Sequence, residues 1–166
     1  MIRSDSVRRT ENLPVRRGLA PRTTPSNPHQ QLTQNAPVEL QEELYRRVRE
    51  LPAVTKEPSR ISVPGARAFV LQEGAGGPPE AFLVGGEFAH LHPAYDGSLH
   101  LTLPPGSGEE VFQKGWGEPH PLAGNWGTST TVAMVYGPRD EQELEVVWSI
   151  VQASYEFARG TEREAI

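Results

Sequence analysis

The sequence predicts an α+β domain, with a mainly antiparallel sheet of about four to five strands and helices packed on one face. Three observations predict it. Apolar residues recur at helical spacing near both ends of the domain: Leu40, Leu44, Val48 and Leu51 early, and Leu144, Val147, Trp148, Val151 and Tyr155 late. Between them lie short β-branched or alternating runs of strand length. Those runs are neighbours in sequence, which joins strands by tight turns rather than by the helical crossovers of a parallel sheet.

In chain order, residues 1–35 are rich in Arg, Pro, Asn, Gln and Thr and lack apolar periodicity. Such a stretch buries too little apolar surface to offset the entropy of ordering, so it is expected as a disordered tail. The domain is expected over 36–160, with 161–166 as a C-terminal tail. Pro37 suits a helix start, and Pro52 ends that helix. Residues 60–71, around Pro64-Gly65, read as up to two short strands, and 81–84 as another. The glycines flanking 81–84 lack the spacing of a nucleotide-binding loop. Residues 88–92 and 98–103 alternate at period two about a Pro93-Ala94-Tyr95-Asp96-Gly97 turn, the clearest hairpin in the chain. Ser107-Gly108-Glu109-Glu110 reads as a capping box opening a short helix that stops at Gly115. Residues 115–129 read as a structured loop and 130–136 as the last strand. Asp140-Glu141-Gln142-Glu143 then caps the final helix.

Composition narrows the function classes. The 166-residue chain has no cysteine, which excludes disulfides, zinc–thiolate and iron–sulfur sites and thiol catalysis. No apolar run approaches the roughly 18 residues of a membrane span, and no signal-peptide core is visible, so a cytoplasmic location is expected. Six arginines in residues 1–30 face only Asp5 and Glu11, while the whole chain carries −5. The body is therefore acidic and a poor partner for nucleic acid, whose binding rests on Lys and Arg.

The residues that carry chemistry are histidines. In a strand, residues two apart share a face, so His90 and His92 project together. Across the hairpin, His92 falls opposite Ser98 and His90 opposite His100, with opposed Cβ atoms about 5 Å apart. Leu91, Leu99, Leu101 and Leu103 occupy the other face. His90, His92 and His100 could supply three nitrogens to Zn²⁺, Fe²⁺ or Mn²⁺. They could equally act as bases, since imidazole titrates near neutrality. A face that merely binds a ligand or partner is the non-catalytic alternative. No G-x-S-x-G elbow surrounds Ser98 or Ser107, which argues against a serine hydrolase.

Several separated motifs recur in one order: Ala89-His90-Leu91-His92, Asp96 with Leu99-His100-Leu101, Lys114-Gly115-Trp116-Gly117, His120-Pro121-Leu122-Ala123-Gly124, Tyr136 with Pro138-Arg139, and Val146-Val147. On these, residues 87–153 resemble the fungal luciferase family and its bacterial relatives. The resemblance implies a cofactor-independent oxygenase, in which a base deprotonates a small enolic or phenolic substrate and O₂ adds to the anion. It brings His120 into the catalytic set beside His90, His92 and His100. It also makes Lys114 a candidate to hold the anionic substrate and Trp116 a candidate to stack on its ring. Asp96 and Tyr136 join as candidate substrate-binding residues. The partners implied are a small molecule and O₂. Where the fungal enzymes carry an N-terminal membrane segment, this chain has a polar, Arg-rich one.

Overall fold

The computed structural model describes residues 9–72 and 75–160. The tail at 161–166 and the first eight residues of the expected N-terminal tail lie outside the described residues. Pro37 precedes helix α1 (Val38–Arg49), which buries Gln41, Leu44 and Val48 at three- and four-residue spacing. Strands β1 (Val54–Pro58) and β2 (Arg67–Leu71) follow. A single 3₁₀ turn, Pro79–Ala81, leads to β3 (Glu87–Leu91) and β4 (Leu99–Thr102). Helix α2 (Ser107–Gln113), β5 (Gly117–Pro119), β6 (Val132–Val135) and helix α3 (Glu141–Arg159) complete the chain. Among the described residues the six strands form one sheet in the order β1-β2-β3-β4-β6-β5, every neighbour antiparallel.

The α+β class therefore holds, with one strand more than expected. The additional strands are those whose sequence carries little apolar signal. β1 is the charged edge strand Val-Thr-Lys-Glu-Pro, and β5 is three residues inside the stretch expected to be loop. Residues 81–84, expected as a strand, instead supply the end of the 3₁₀ turn and a lone bridge from Val84 to Glu87. Ser107 does not cap α2. Gly106, at φ +90, sits at that position, and Ser107 Oγ accepts a bond from Thr10 Oγ1 at 2.9 Å. The cap at α3 forms as read: Glu143 N–H donates to Asp140 Oδ1 at 2.8 Å.

One sheet face is the core. Phe69, Leu71, Ala89, Leu91, Leu99, Leu101, Ala133 and Val135 bury against Leu144, Val147, Ile150 and Val151 of α3 and Leu44 and Val48 of α1. Each such side chain removed from water contributes about 1.5–3 kcal/mol.

Residues 9–35, expected as part of a disordered tail, lie along the body instead. Leu13, Arg16, His29 and Gln31 are buried there. Arg16 N–H donates to the Lys114 carbonyl at 2.9 Å and Trp116 Nε1–H to the Pro14 carbonyl at 2.7 Å. Arg9 pairs with Glu156 at 2.6 Å. These anchors are single residues satisfied by distant partners, so they leave no periodic trace in the local sequence.

Candidate active site

The hairpin sets the site. Ala89 pairs with Leu101, His90 with His100 and Leu91 with Leu99, the register that parity demands once the leucines face the core. Pro93 accepts the Asp96 and Gly97 N–H groups, and Gly97 closes the turn at φ +78, a left-handed conformation that glycine adopts without strain. The imidazoles of His90, His92 and His100 thus share the face opposite the core. They are 3%, 2% and 5% exposed, because the N-terminal segment and the loops after β1 and β5 roof that face.

A bulge adds a carboxylate. β2 pairs Phe69 with Ala89 but Val70 with Glu87, so Phe88 is an extra residue in β3. Parity reverses there. The Phe88 ring enters the core beside Tyr155, and Glu87 turns onto the histidine face, where its Oε2 lies 2.8 Å from His90 Nδ1. Asp96 does the corresponding work for His92. Asp96 Oδ1 accepts the Ser98 hydroxyl at 2.5 Å and its Oδ2 lies 3.3 Å from His92 Nδ1, while His92 Nδ1 is 2.9 Å from Ser98 Oγ. The Ser98 proton is spent on Asp96, so Oγ accepts from His92 Nδ1–H. Both imidazoles therefore carry hydrogen on Nδ1 and a lone pair on Nε2, a tautomer assigned from the hydrogen-bond network. Each Nε2 lies 3.1 Å from His100 Nδ1.

The remaining two histidines close the cluster. His29 Nδ1 lies 3.0 Å from His100 Nε2, and its Nε2 lies 3.3 Å from Glu118 Oε2. Glu118 Oε1 accepts the Tyr136 hydroxyl at 3.1 Å. His120 stands edge-on to His100 and His29 at centroid separations of 4.7 and 5.3 Å. His120 Nδ1 accepts the Leu122 N–H at 3.0 Å, which leaves the proton of the neutral ring on Nε2. All five histidines line one cavity of about 240 Å³, with Ile61, Val63, Leu83 and Leu122 among its apolar walls.

Burial sets the charge states. It lowers His90, against the pull of the Glu87 hydrogen bond, and lowers His100 well below the ordinary value, helped by the four neighbouring histidines. Burial and nearby histidines push His120 down to about 4. Burial alone would raise Asp96, but the bonds from His92 and Ser98 outweigh it and hold the carboxyl below its usual value. Burial, reinforced by Glu118, raises the Tyr136 phenol.

Of the residues singled out in the sequence, His90, His92, His100 and His120 meet in the cavity. Asp96 and Tyr136 stand one layer behind, against His92 and Glu118. Lys114 and Trp116 lie outside the cavity wall. Lys114 ends α2, and the Trp116 indole is in the core with its N–H on Pro14, so neither is placed to hold or stack on a ligand there. His29, Glu87 and Glu118 are site members absent from the sequence reading, and Ser98, read there as the residue opposite His92, joins them. Glu87 depends on the bulge, whose sole local hint is Gly85-Gly86. His29 depends on tertiary folding of a segment without pattern.

Comparison with known proteins finds partial matches. Residues 85–154 match the family model described as Luciferase domain. The chain is 49% identical over 70 residues to the luciferases of Armillaria gallica and Neonothopanus nambi, an alignment covering 41% of this chain and 26% of each of those proteins. The chain thus spans about a quarter of the length of the curated relatives it matches. No solved structure matches it significantly. The matched segment holds four of the five histidines; His29 lies outside it.

Proposed function

We propose that the chain is an oxygenase-type enzyme that activates a small enolic or phenolic substrate in the histidine-lined cavity. The observation that carries this reading is the convergence of all five imidazoles on one cavity with apolar walls beside them. A solvated sheet face, as a docking module would present, leaves such groups open to water. The cavity, about 240 Å³, falls just below the usual span of ligand-site volumes, about 300–1,000 Å³, which restricts it to a small ring compound.

The residues divide the work by their tautomers. His90 and His92 present Nε2 lone pairs and are each oriented through Nδ1 by an acid, the arrangement of a general base. They take the substrate hydroxyl proton. His120, neutral with its proton on Nε2, donates to the oxygen that becomes negative. The enolate carbon then gives its electron pair to O₂, the oxidant. A C–O bond forms, and the proton taken from the hydroxyl returns to the resulting peroxide. The match to a Luciferase domain supports O₂ as co-substrate.

The test is O₂ uptake with a panel of pyrones and substituted phenols, comparing wild type with His90→Ala and His100→Ala. Uptake that falls at least tenfold in both variants is expected. Equal rates in all three proteins refute the assignment.

A further inference from the structure

The geometry points to a divalent transition-metal ion held by His90 Nε2, His92 Nε2 and His100 Nδ1. These three atoms lie within 4.8 Å of one another, and His100 Nδ1 is 3.1 Å from each of the others. Two imidazole nitrogens on a common ion at about 2.0–2.1 Å, about 90–110° apart, are separated by about 2.9–3.4 Å.

Proton accounting favours the ion. His90 and His92 already present lone pairs. If His100 carried its hydrogen on Nδ1, its Nε2 would need a donor from His29 Nδ1. A neutral His29 would then turn an Nε2 lone pair onto the Glu118 carboxylate. The opposite assignment satisfies every contact with neutral rings: His100 Nε2–H donates to His29 Nδ1, and His29 Nε2–H donates to Glu118. It leaves three lone pairs converging with no hydrogen between them. A divalent cation completes that arrangement with every ring neutral, where the metal-free alternative needs an imidazolium at His29 against Glu118.

Charge balance agrees independently. Glu87 and Asp96 are 1% and 0% exposed. Among the described residues, no lysine or arginine forms an ion pair with either; their partners are His90 and His92. Two buried carboxylates without a counter-charge are costly, and a doubly charged ion behind their imidazoles neutralises both.

A second trio, His29, His100 and His120, also brings ring nitrogens within 4.8 Å. There His120 Nδ1 is occupied by the Leu122 N–H and Nε2 by its own hydrogen, so His120 is not a ligand. Three protein nitrogens beside an open cavity leave coordination positions free for a small molecule, as in catalytic rather than structural sites. The chemical role of the ion rests on the oxygenase reading: it offsets the enolate charge while His90 and His92 hold it, and the proton uptake assigned to those two residues above belongs to the metal-free chain. Its binding does not rest on that reading.

The experiment is titration of the chelator-stripped full chain with Co²⁺, read by visible ligand-field absorption, and with Zn²⁺ by calorimetry. Folding of each protein is checked by circular dichroism. One ion per chain is expected, with Zn²⁺ displacing Co²⁺. His90→Gln and His92→Gln lose saturable binding, and His120→Ala keeps it. Glu118→Leu weakens it about 10–100-fold by removing the acceptor that fixes the tautomers. Absence of stoichiometric binding by folded wild type overturns the proposal. So does binding that survives in His90→Gln, or that is lost in folded His120→Ala. If the metal binds as described while no substrate supports O₂ uptake, the site stands and the oxygenase reading falls.

Discussion

Replacing Asp96 by asparagine changes one atom and tests whether this carboxylate joins the N-terminal segment to the histidine cluster. Asp96 is fully buried, and its two oxygens accept three hydrogen bonds and face the His92 ring. Oδ1 takes the Ser98 N–H at 2.9 Å and the Ser98 hydroxyl at 2.5 Å. Oδ2 takes the Gln31 N–H at 3.1 Å and faces His92 Nδ1 at 3.3 Å. In the amide one oxygen becomes NH₂, which cannot accept. At the first position it confronts the Ser98 groups; at the second, it confronts Gln31 and His92. At the first position two buried donors lose their acceptor and at the second the Gln31 N–H alone does, at about 1–3 kcal/mol each, so the less costly orientation sets an expected loss of about 1–3 kcal/mol. For a domain of this size each kcal/mol lowers Tm by about 2–4 °C, which sets the fall at roughly 2–12 °C. Urea and thermal unfolding measure it. Hydrogen exchange at residues near Gln31 should rise in the variant before global unfolding does. A Tm within 1 °C of wild type, with unchanged exchange at that segment, refutes the reasoning.

Three further substitutions probe other supports. Asp140→Ala removes the α3 cap and should cost about 1 kcal/mol at neutral pH. The Glu143 N–H bond, chiefly, holds the Asp140 carboxyl below its ordinary value. That contribution is therefore fully present above the unfolded value near 3.9 and is lost as pH falls through the lower folded value. Denaturant curves from pH 7 to 2.5 should show the gap between the two proteins closing in acid, and a constant gap contradicts this. Trp116→Phe deletes the donor to the Pro14 carbonyl and should cost about 0.5–1.5 kcal/mol. Limited proteolysis should then cut more readily in residues 9–20, whereas unchanged cutting would mean the bond does not hold that segment. Gly97→Ala places a side chain at φ +78, where its Cβ would lie 2.5 Å from Gln41 Nε2. It should destabilise by more than the roughly 1 kcal/mol of left-handed strain alone, and a neutral effect in thermal unfolding would show that the turn relaxes.

The hairpin was legible because its two strands alternate strictly, and one face of leucines leaves a single register open to His90 and His100. The final helix was legible because its apolar stripe and its Asp140 cap agree. What escaped local reading depends on distant partners. β5 is a strand because β6 offers it a free edge, and a Cβ at Gly117 would lie 2.2 Å from the Met134 carbonyl oxygen, so only glycine admits that close pairing. His29 stands in a polar stretch whose order comes from bonds to Asp96, Lys114 and Trp116 that no window of neighbouring residues contains. Lys114 and Trp116 show the converse. They sit in a motif on which the family resemblance was read, yet the indole is spent on packing and on Pro14.

The bulge in β3 makes the two sides of the sheet answer to one another. Straightened, the same sequence would seat an aromatic ring under the imidazoles and a carboxylate among the leucines. Neither side tolerates that exchange, so the irregular backbone is the cheapest arrangement of Glu87 and Phe88 together. The acid beneath His90 is thus placed from behind by the apolar seat of Phe88, and held in front by the Ser59 hydroxyl and the Arg60 N–H. Trimming the Phe88 ring would slacken an electrostatic partner on the opposite surface. A library that varies the core at Phe88 would, without touching a polar atom, be tuning the basicity of His90.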